Sequence, residues 1–445
     1  MNNNEPIRDA RQLGLPKMLI LGLQHMFAMF GATVLVPILV QGYGLPLSIQ
    51  TTLLFAGLGT LFFHFCTKWK VPAFLGSSFA YLGGFAAVAE LDSGIYAGMS
   101  GAEKLPYALG GIVVAGLLYL ALAGLIKAVG VRQVMRFLPP VVTGPIIILI
   151  GLSLAPSAIN NASTNWWLAI LSIAVIVAAN IWGKGMIKII PILLGVLGSY
   201  VLALITNQVD FAPIAQAHLI GSPIHPSAMA KFDIGAILTI MPIALAAMME
   251  HIGDMAAISA TVGQNFIAKP GLARTLLGDG LATTLAGFFG GPANTTYGEN
   301  TGVLALTKVY DPKVIRLAAV IAIILSVSPK FDAIVNTIPT AIIGGISLIL
   351  YGMISAIGVR NVVENQVDFT NSRNLIIAAV ILVSALGFNS VGGLTLFQNE
   401  SLTISLSGLA IAAILGIALN AILPGNDYDF GRDLVRDDPV NFGRY

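Results

Sequence analysis

Residues 290–308, GGPANTTYGENTGVLALTK, lie between two apolar segments, yet they cannot form an ordinary membrane helix. Gly291, Pro292, Asn294, Thr295, Thr296, Tyr297 and Gly298 interrupt it. Non-helical backbone at membrane depth is tolerated only inside protein or beside a water-filled cavity. The run 299–308 reads as helix, but about ten residues at ~1.5 Å each reach roughly half of a ~30 Å hydrocarbon core. The stretch therefore predicts a break followed by a half-helix that starts near the membrane midplane. Its free N–H groups and positive dipole end would face a ligand, with Glu299 at that end. The bland alternative is an external loop made of turn residues, and the rest of the chain argues against it.

Of 445 residues, 56% are hydrophobic and 10% charged, against roughly 25% charged in a soluble domain. This is the composition of a polytopic membrane protein. The net charge is +2, with no basic run to hold nucleic acid. Cys66 is the single cysteine, so no internal disulfide can form. Residues 1–14 are mostly polar and lack a cleavage site behind a short apolar core. The first helix is therefore expected to stay in the protein.

Apolar spans fall at 16–40, 47–66, 72–90, 106–126, 135–155, 166–182, 187–206, 233–260, 273–290, 299–308, 313–329, 333–356, 374–388 and 402–423. That makes fourteen crossings if the short third and tenth segments both count. With a cytoplasmic N-terminus, all of the 23 basic residues except Lys104, Lys231 and Lys330 then lie inside, as the positive-inside rule demands. Discounting both short segments would move Lys127, Arg132, Arg136, Lys184, Lys188, Lys269 and Arg274 outside. The first seven segments begin inside and the eighth begins outside, so two halves of seven would be inverted copies, a common transporter plan. The short segments rhyme: Pro72, Ala73, Ser77, Ser78, Phe79 against Pro292, Ala293, Thr295, Thr296, Tyr297. The external segment 207–231 carries His218 and His225, whose spacing fits no zinc pattern. The tail from Pro424 is polar and charged.

Glu250 and Asp254 share one face of the eighth span at i, i+4 spacing. An acid near a membrane helix centre costs about 2.5–3.5 kcal/mol on the insertion scale, so both should face the bundle interior or water. His251 faces elsewhere and reads as a packed residue, and Asp279 reads as a structural or gate residue. His25, beside Gln24 in the first span, would join the acids in a polar network and can help to pass a proton. Assembled, the centre offers carboxylates from Glu250 and Glu299, backbone donors near Phe79 and Gly298, and the rings of Phe79 and Tyr297. A small planar solute with N–H donors and C=O acceptors satisfies all three, and a nucleobase has that shape. A simple anion would want basic residues, which are absent from the expected midplane. A carboxyl held away from water can take up a proton on one side and release it on the other, which permits proton-coupled uptake.

Glu299-Asn300-Thr301-Gly302 followed by Thr307-Lys308 resembles the signature of the nucleobase–ascorbate transporter family, and Gln24-His25 resembles its QH pair. The wider wording, QHMFAMFGATVLVP, PAFLGSSFA and NTTYGENTGVLALTK, is most similar to the family's bacterial uracil-permease branch. The resemblance covers residues about 12 to 423. It implies an all-α polytopic membrane protein of fourteen transmembrane segments in a 7+7 inverted repeat, with short strands in segments 3 and 10. It implies a core domain (12–128 and 232–330), a gate domain (129–231 and 331–423) and a cytoplasmic tail (424–445). It implies uracil–proton symport in the bacterial plasma membrane, both termini cytoplasmic, by a homodimer with no cofactor beyond the coupling proton. Carried over by position, Glu250, Glu299, Phe79, Gly298, Tyr297, His25 and Tyr351 would form the substrate site. Asn300, Ser78 and Thr296 would support it, and Glu250, Asp254, Glu299 and His25 would share the proton. Some uracil permeases have histidine where Asp254 stands, and purine carriers often have an acid, so a xanthine or urate permease is the alternative. An anion transporter of the same architecture would want empty dipole ends where Glu299 stands. A membrane hydrolase finds no GxSxG or HExxH pattern here.

Overall fold

The computed structural model describes residues 6–398 and 403–426. It is predominantly helical. Among the described residues, seven helices are long and apolar enough to cross a membrane, or up to eight when the bent pair Pro312–Ser326 and Pro329–Asn336 is taken as one span. Shorter apolar helices stand at Phe79–Ala89, Trp166–Ile181, Pro191–Ile205 and Gly408–Ile422. Large apolar side chains such as Trp167, Ile205, Val383 and Ile422 are exposed on these helices, the surface expected of segments solvated by lipid. Leu272–Phe288 packs along both Gly101–Val129 and Ile49–Cys66, while Thr340–Glu364 packs along Pro140–Leu152 and Trp166–Ile181. Gly116 and Gly280 let the first of these pairs approach closely, because a Cβ on either would meet the other's carbonyl oxygen at 2.8–2.9 Å.

Both interrupted segments carry a three-residue strand. β1 (Leu75–Ser77) pairs antiparallel with β2 (Asn294–Thr296), with Leu75 opposite Thr296, Gly76 opposite Thr295 and Ser77 opposite Asn294. The pairing continues past the strands, since Ser78 N–H donates to Ala293 O at 2.9 Å and Tyr297 N–H donates to Phe74 O at 3.0 Å. Each strand runs into a half-helix: Phe79–Tyr81 and Leu82–Ala89 after β1, Gly298–Thr307 after β2. Because the strands are antiparallel, the half-helices leave the sheet in opposite directions. The structure displaces the sequence rhyme by one residue. By position in the sheet Ser77 matches Thr296, Ser78 matches Tyr297, and Phe79 matches Gly298.

A two-stranded sheet leaves its outer edges unpaired, and here threonines on flanking helices fill them. Thr60 of Ile49–Cys66 accepts from Leu75 N–H at 2.9 Å. Thr283 of Leu272–Phe288 accepts from Asn294 N–H at 3.1 Å and donates to Asn294 O at 3.2 Å. The two threonines thus serve the first residue of each strand in the same way. Gly76 is required by packing: a Cβ there would run into the Tyr297 ring, and would meet the Thr33 hydroxyl at 2.7 Å.

Elsewhere the structure departs from the apolar-span reading. The expected twelfth segment, 333–356, is a helix at Thr340–Glu364, and its first residues belong to Pro329–Asn336, turned 89° from the preceding helix. Ser328 caps that turn by accepting from Phe331 N–H, and Pro329 takes the first helical position, where its missing N–H costs nothing. A separate helix, Ala155–Ser163, follows Pro140–Leu152. The expected last span, 402–423, starts later, at Gly408, because β3 (Leu394–Gln398) and β4 (Thr403–Leu406) form an antiparallel hairpin before it. Among the described residues no group of three or more His, Cys, Asp or Glu could hold a metal.

Thr283→Val leaves the buried Asn294 peptide without its edge partner, which predicts a loss of about 1–3 kcal/mol. Thermal unfolding of the detergent-purified protein checks it: Thr283→Val lowers the midpoint and Thr283→Ser restores it.

Candidate functional site

The β1–β2 sheet sits among four helices, Leu15–Gly42, Ile49–Cys66, Ala244–Val262 and Leu272–Phe288. Each brings polar side chains to it. Neither Ser78 nor Tyr297 caps its half-helix with a side-chain hydrogen bond. The first-turn N–H groups at Phe79 and Gly298 therefore keep the character of uncapped helix starts, with the positive end of each dipole at the sheet. The expected backbone donors are thus brought together by a shared sheet.

Glu250 and Asp254 lie one turn apart on Ala244–Val262. Asp254 Oδ2 accepts from the Thr296 hydroxyl at 2.8 Å, which fastens this helix to β2. Glu250 Oε2 is buried without a hydrogen-bond partner among the described residues. Glu299, in the first turn of Gly298–Thr307, lines a cavity of about 390 Å³ together with Gly298. His251 Nδ1 stands 2.9 Å from Asp279 Oδ2, both fully buried. This pair ties the Glu250 helix to Leu272–Phe288 and gives Asp279 a structural place.

His25 is completely buried in Leu15–Gly42. Asn300 Nδ2 donates to the His25 carbonyl at 3.0 Å and lies 3.2 Å from His25 Nδ1. A backbone carbonyl only accepts, so the Asn300 atom facing it is the NH₂ group. The same group must then donate to Nδ1, which leaves the ring proton on Nε2. Nε2 has no partner among the described residues, and neither do the hydroxyls of Ser78, Thr295 and Tyr351. The first span and the second half-helix are thus joined by Asn300, with a histidine N–H donor left over.

The aromatic residues divide. Phe79 and Tyr351 are both buried and stand edge-on, with ring centroids 5.8 Å apart. Tyr297 is turned the other way. Its ring lies under Gly76, and its hydroxyl donates to Ser77 O at 2.9 Å beside Thr33 and Ser77 Oγ, each 3.3 Å away. That placement fits a prop beneath the sheet, and it does not fit a ring stacked on a ligand. The residues that the sequence reading missed are the hydroxyl groups Thr33, Thr60 and Thr283. Threonine in an apolar helix is common, and only the partner strand reveals its purpose.

Two cavities approach the sheet, each along one half-helix. The first follows Gly298–Thr307 past Gly298, Glu299, Gly302 and Leu306 towards Lys188 and Arg360. The second, about 580 Å³, follows Phe79, Ala80, Gly83, Ala86 and Glu90, facing Asn160 and Asn161.

A family model described as "Permease family" matches residues 16–393. The uracil permease of Bacillus caldolyticus is 41% identical over 436 residues, covering 95% of this chain and 96% of that protein. The uracil permease of Bacillus subtilis is 40% identical, covering 90% of this chain and 91% of its own length. That of Escherichia coli K12 is 38% identical and covers 90% of each. Among solved structures, SLC26A9 aligns with a TM-score of 0.64 at 11% identity, over 91% of this chain and 64% of that one. The transmembrane domain of the cyanobacterial bicarbonate transporter BicA aligns at 0.59 and 13% identity, over 94% and 99%. At that identity these structures attest to the fold alone. The family match and the full-length relatives go further, and on them the chain belongs to this permease family.

Proposed function

We propose that this permease carries uracil across the bacterial plasma membrane together with protons. The observation that carries the reading is the full-length likeness to relatives named uracil permease, at about 40% identity. The site's chemistry supports it. Glu250 and Glu299 supply acceptors for the N–H groups of a flat ring. The first-turn N–H groups at Phe79 and Gly298 supply donors for its carbonyl oxygens, at helix starts suited to negative charge. His25 Nε2–H adds a donor, and the edge-on Phe79–Tyr351 pair bounds the ring. Ser78, Thr296 and Asn300 hold these groups in place.

In this reading the coupling proton is shared among Glu250, Asp254, Glu299 and His25, as one coupled set rather than a single titrating residue. The chain forms fourteen segments as two inverted sets of seven, with both termini cytoplasmic. Residues 12–128 and 232–330 make a core that carries the sheet. Residues 129–231 and 331–423 make a gate and the contact surface of a homodimer. The core moves against the gate in an elevator-like cycle. The two cavities, one along each half-helix, are what such a cycle needs, since each gives the sheet a route to one side.

Glu299→Ala removes a charge-assisted hydrogen bond worth about 1.5–3 kcal/mol, predicting uracil affinity weakened by roughly 10- to 100-fold. Calorimetry on purified protein checks it, and undiminished binding refutes the site. Wild-type uptake into proteoliposomes should fall as outside pH rises, because fewer protons are available to couple, whereas Glu250→Gln should give a flat profile at a reduced rate. An unchanged profile refutes the coupling role. Unlabelled uracil should displace labelled uracil while xanthine and urate do not; displacement by either purine would move the substrate assignment to purines.

A further inference from the structure

Residues 7–10 precede the first membrane helix, Leu15–Gly42, and lie against residues 308–311. Ile7 N–H donates to Lys308 O at 2.8 Å and Tyr310 N–H donates to Ile7 O at 2.8 Å, which makes a parallel bridge between Ile7 and Val309. Ala10 N–H donates to Asp311 Oδ2 at 2.8 Å, across 301 residues. Ala10 is fully buried with Val309 and Val314, and Ile7 and Leu13 pack on them. Arg8 reaches a different helix. Its Nη2 donates to Val262 O at 2.9 Å, and its guanidinium lies 5.9 Å from the centre of the Tyr310 ring.

These contacts fall where helices end. The last carbonyls of a helix have no partner within it, and the negative end of the dipole favours a cation there. Val262 is the last residue of Ala244–Val262, and Lys308 is the left-handed residue that closes Gly298–Thr307. One short segment thus caps two helices, with a guanidinium on the first and a backbone N–H on the second. The first helix carries Glu250 and Asp254, and the second carries Glu299. Val262 stands about three turns beyond Glu250, and Thr307 about two turns beyond Glu299. The segment then runs on towards the helix that carries His25.

We propose that residues 7–10 form a clip that joins the far ends of the two acid-bearing helices, keeps Glu299 at a fixed distance from Glu250 and Asp254, and stays closed while the permease works. Arg8 and Asp311 are its positioning residues, each acting through a helix end rather than on the solute. Gly298–Thr307 is fixed at its start by the β1–β2 sheet, and the clip fixes its other end. With both ends held, the first turn, where Glu299 sits, cannot tilt away from the Glu250 helix. The effect on the solute rests on the proposed transport of uracil, whereas the clip itself does not.

Amide hydrogen exchange of the full chain reads the clip. Arg8→Ala should speed exchange in the last turns of both helices, residues 259–262 and 304–307. Arg8→Lys, which keeps a donor for the Val262 carbonyl, should restore most of the protection. Uracil binding by calorimetry then reads the acids. Arg8→Ala and Asp311→Ala should each weaken it roughly 2- to 30-fold, the range for coupling carried through a packed network. A disulfide between Ile7→Cys and Val309→Cys, made in a Cys66→Ser background, locks the bridge. The locked protein should take up uracil into proteoliposomes at the wild-type rate. Adding the lock to Asp311→Ala should recover the lost affinity, which a mere loss of the helix cap at Asp311 would not allow. Binding unchanged in both variants, exchange that speeds in one helix only, or uptake stopped by the lock and regained on reduction overturns the proposal. Arg8 is exposed, so its variants decide the question even if Asp311→Ala fails to fold. Absence of uracil binding in the wild type would count against the uracil reading, while hydrogen exchange still judges the clip.

Discussion

A peptide group set at membrane depth without a partner costs several kcal/mol, and this chain places two broken segments among its membrane helices. Each resolves the other's problem. β1 and β2 exchange backbone hydrogen bonds through the register Leu75–Thr296, Gly76–Thr295 and Ser77–Asn294. Thr60 and Thr283 then occupy the outer edges that a two-stranded sheet cannot pair for itself. Once that backbone is satisfied, two helices can begin inside the protein with their first N–H groups facing a common centre. On the proposed reading, the binding chemistry is a by-product of where those helices start.

The same sheet accounts for the side chains around it. Asp254 is fastened to β2 through Thr296, and Asn300 fastens the second half-helix to the first span at His25. Tyr297 fills the space that Gly76 leaves open. Among the described residues, the groups left without a hydrogen-bond partner include Glu250 Oε2, His25 Nε2 and the Tyr351 hydroxyl. The solved neighbours SLC26A9 and BicA share the fold at 11–13% identity. A fold does not choose a solute; the groups of a site do.

The sequence made much of this legible. Glycine, proline and asparagine clustered between apolar runs marked both breaks, and the i, i+4 acids on an apolar helix marked the polar face. What it could not convey was pairing across more than 200 residues. The rhyme of the two segments aligned Phe79 with Tyr297, because hydroxyl and aromatic residues look alike in a string, whereas the sheet aligns Phe79 with Gly298. Tyr297 read as a ring for the ligand because nothing local reveals that Gly76 lies against it. The hairpin before the last helix was absorbed into an apolar run, since strands and buried helices share hydrophobic content over such short lengths.

The strand contacts also bear on how the chain is made. Ser77 and Tyr297 touch across 220 residues. A ribosome delivers the first broken segment long before the second exists, so β1 is made with Thr60 to answer Leu75 but without the strand that pairs with the rest. Insertion of the first half must therefore keep that segment in a wet or protein-lined environment, the translocon or a membrane chaperone, until residues 294–296 arrive. The site is in this sense a late product of biogenesis, and truncated chains that end before the second break lack the partner that makes the first one stable in lipid.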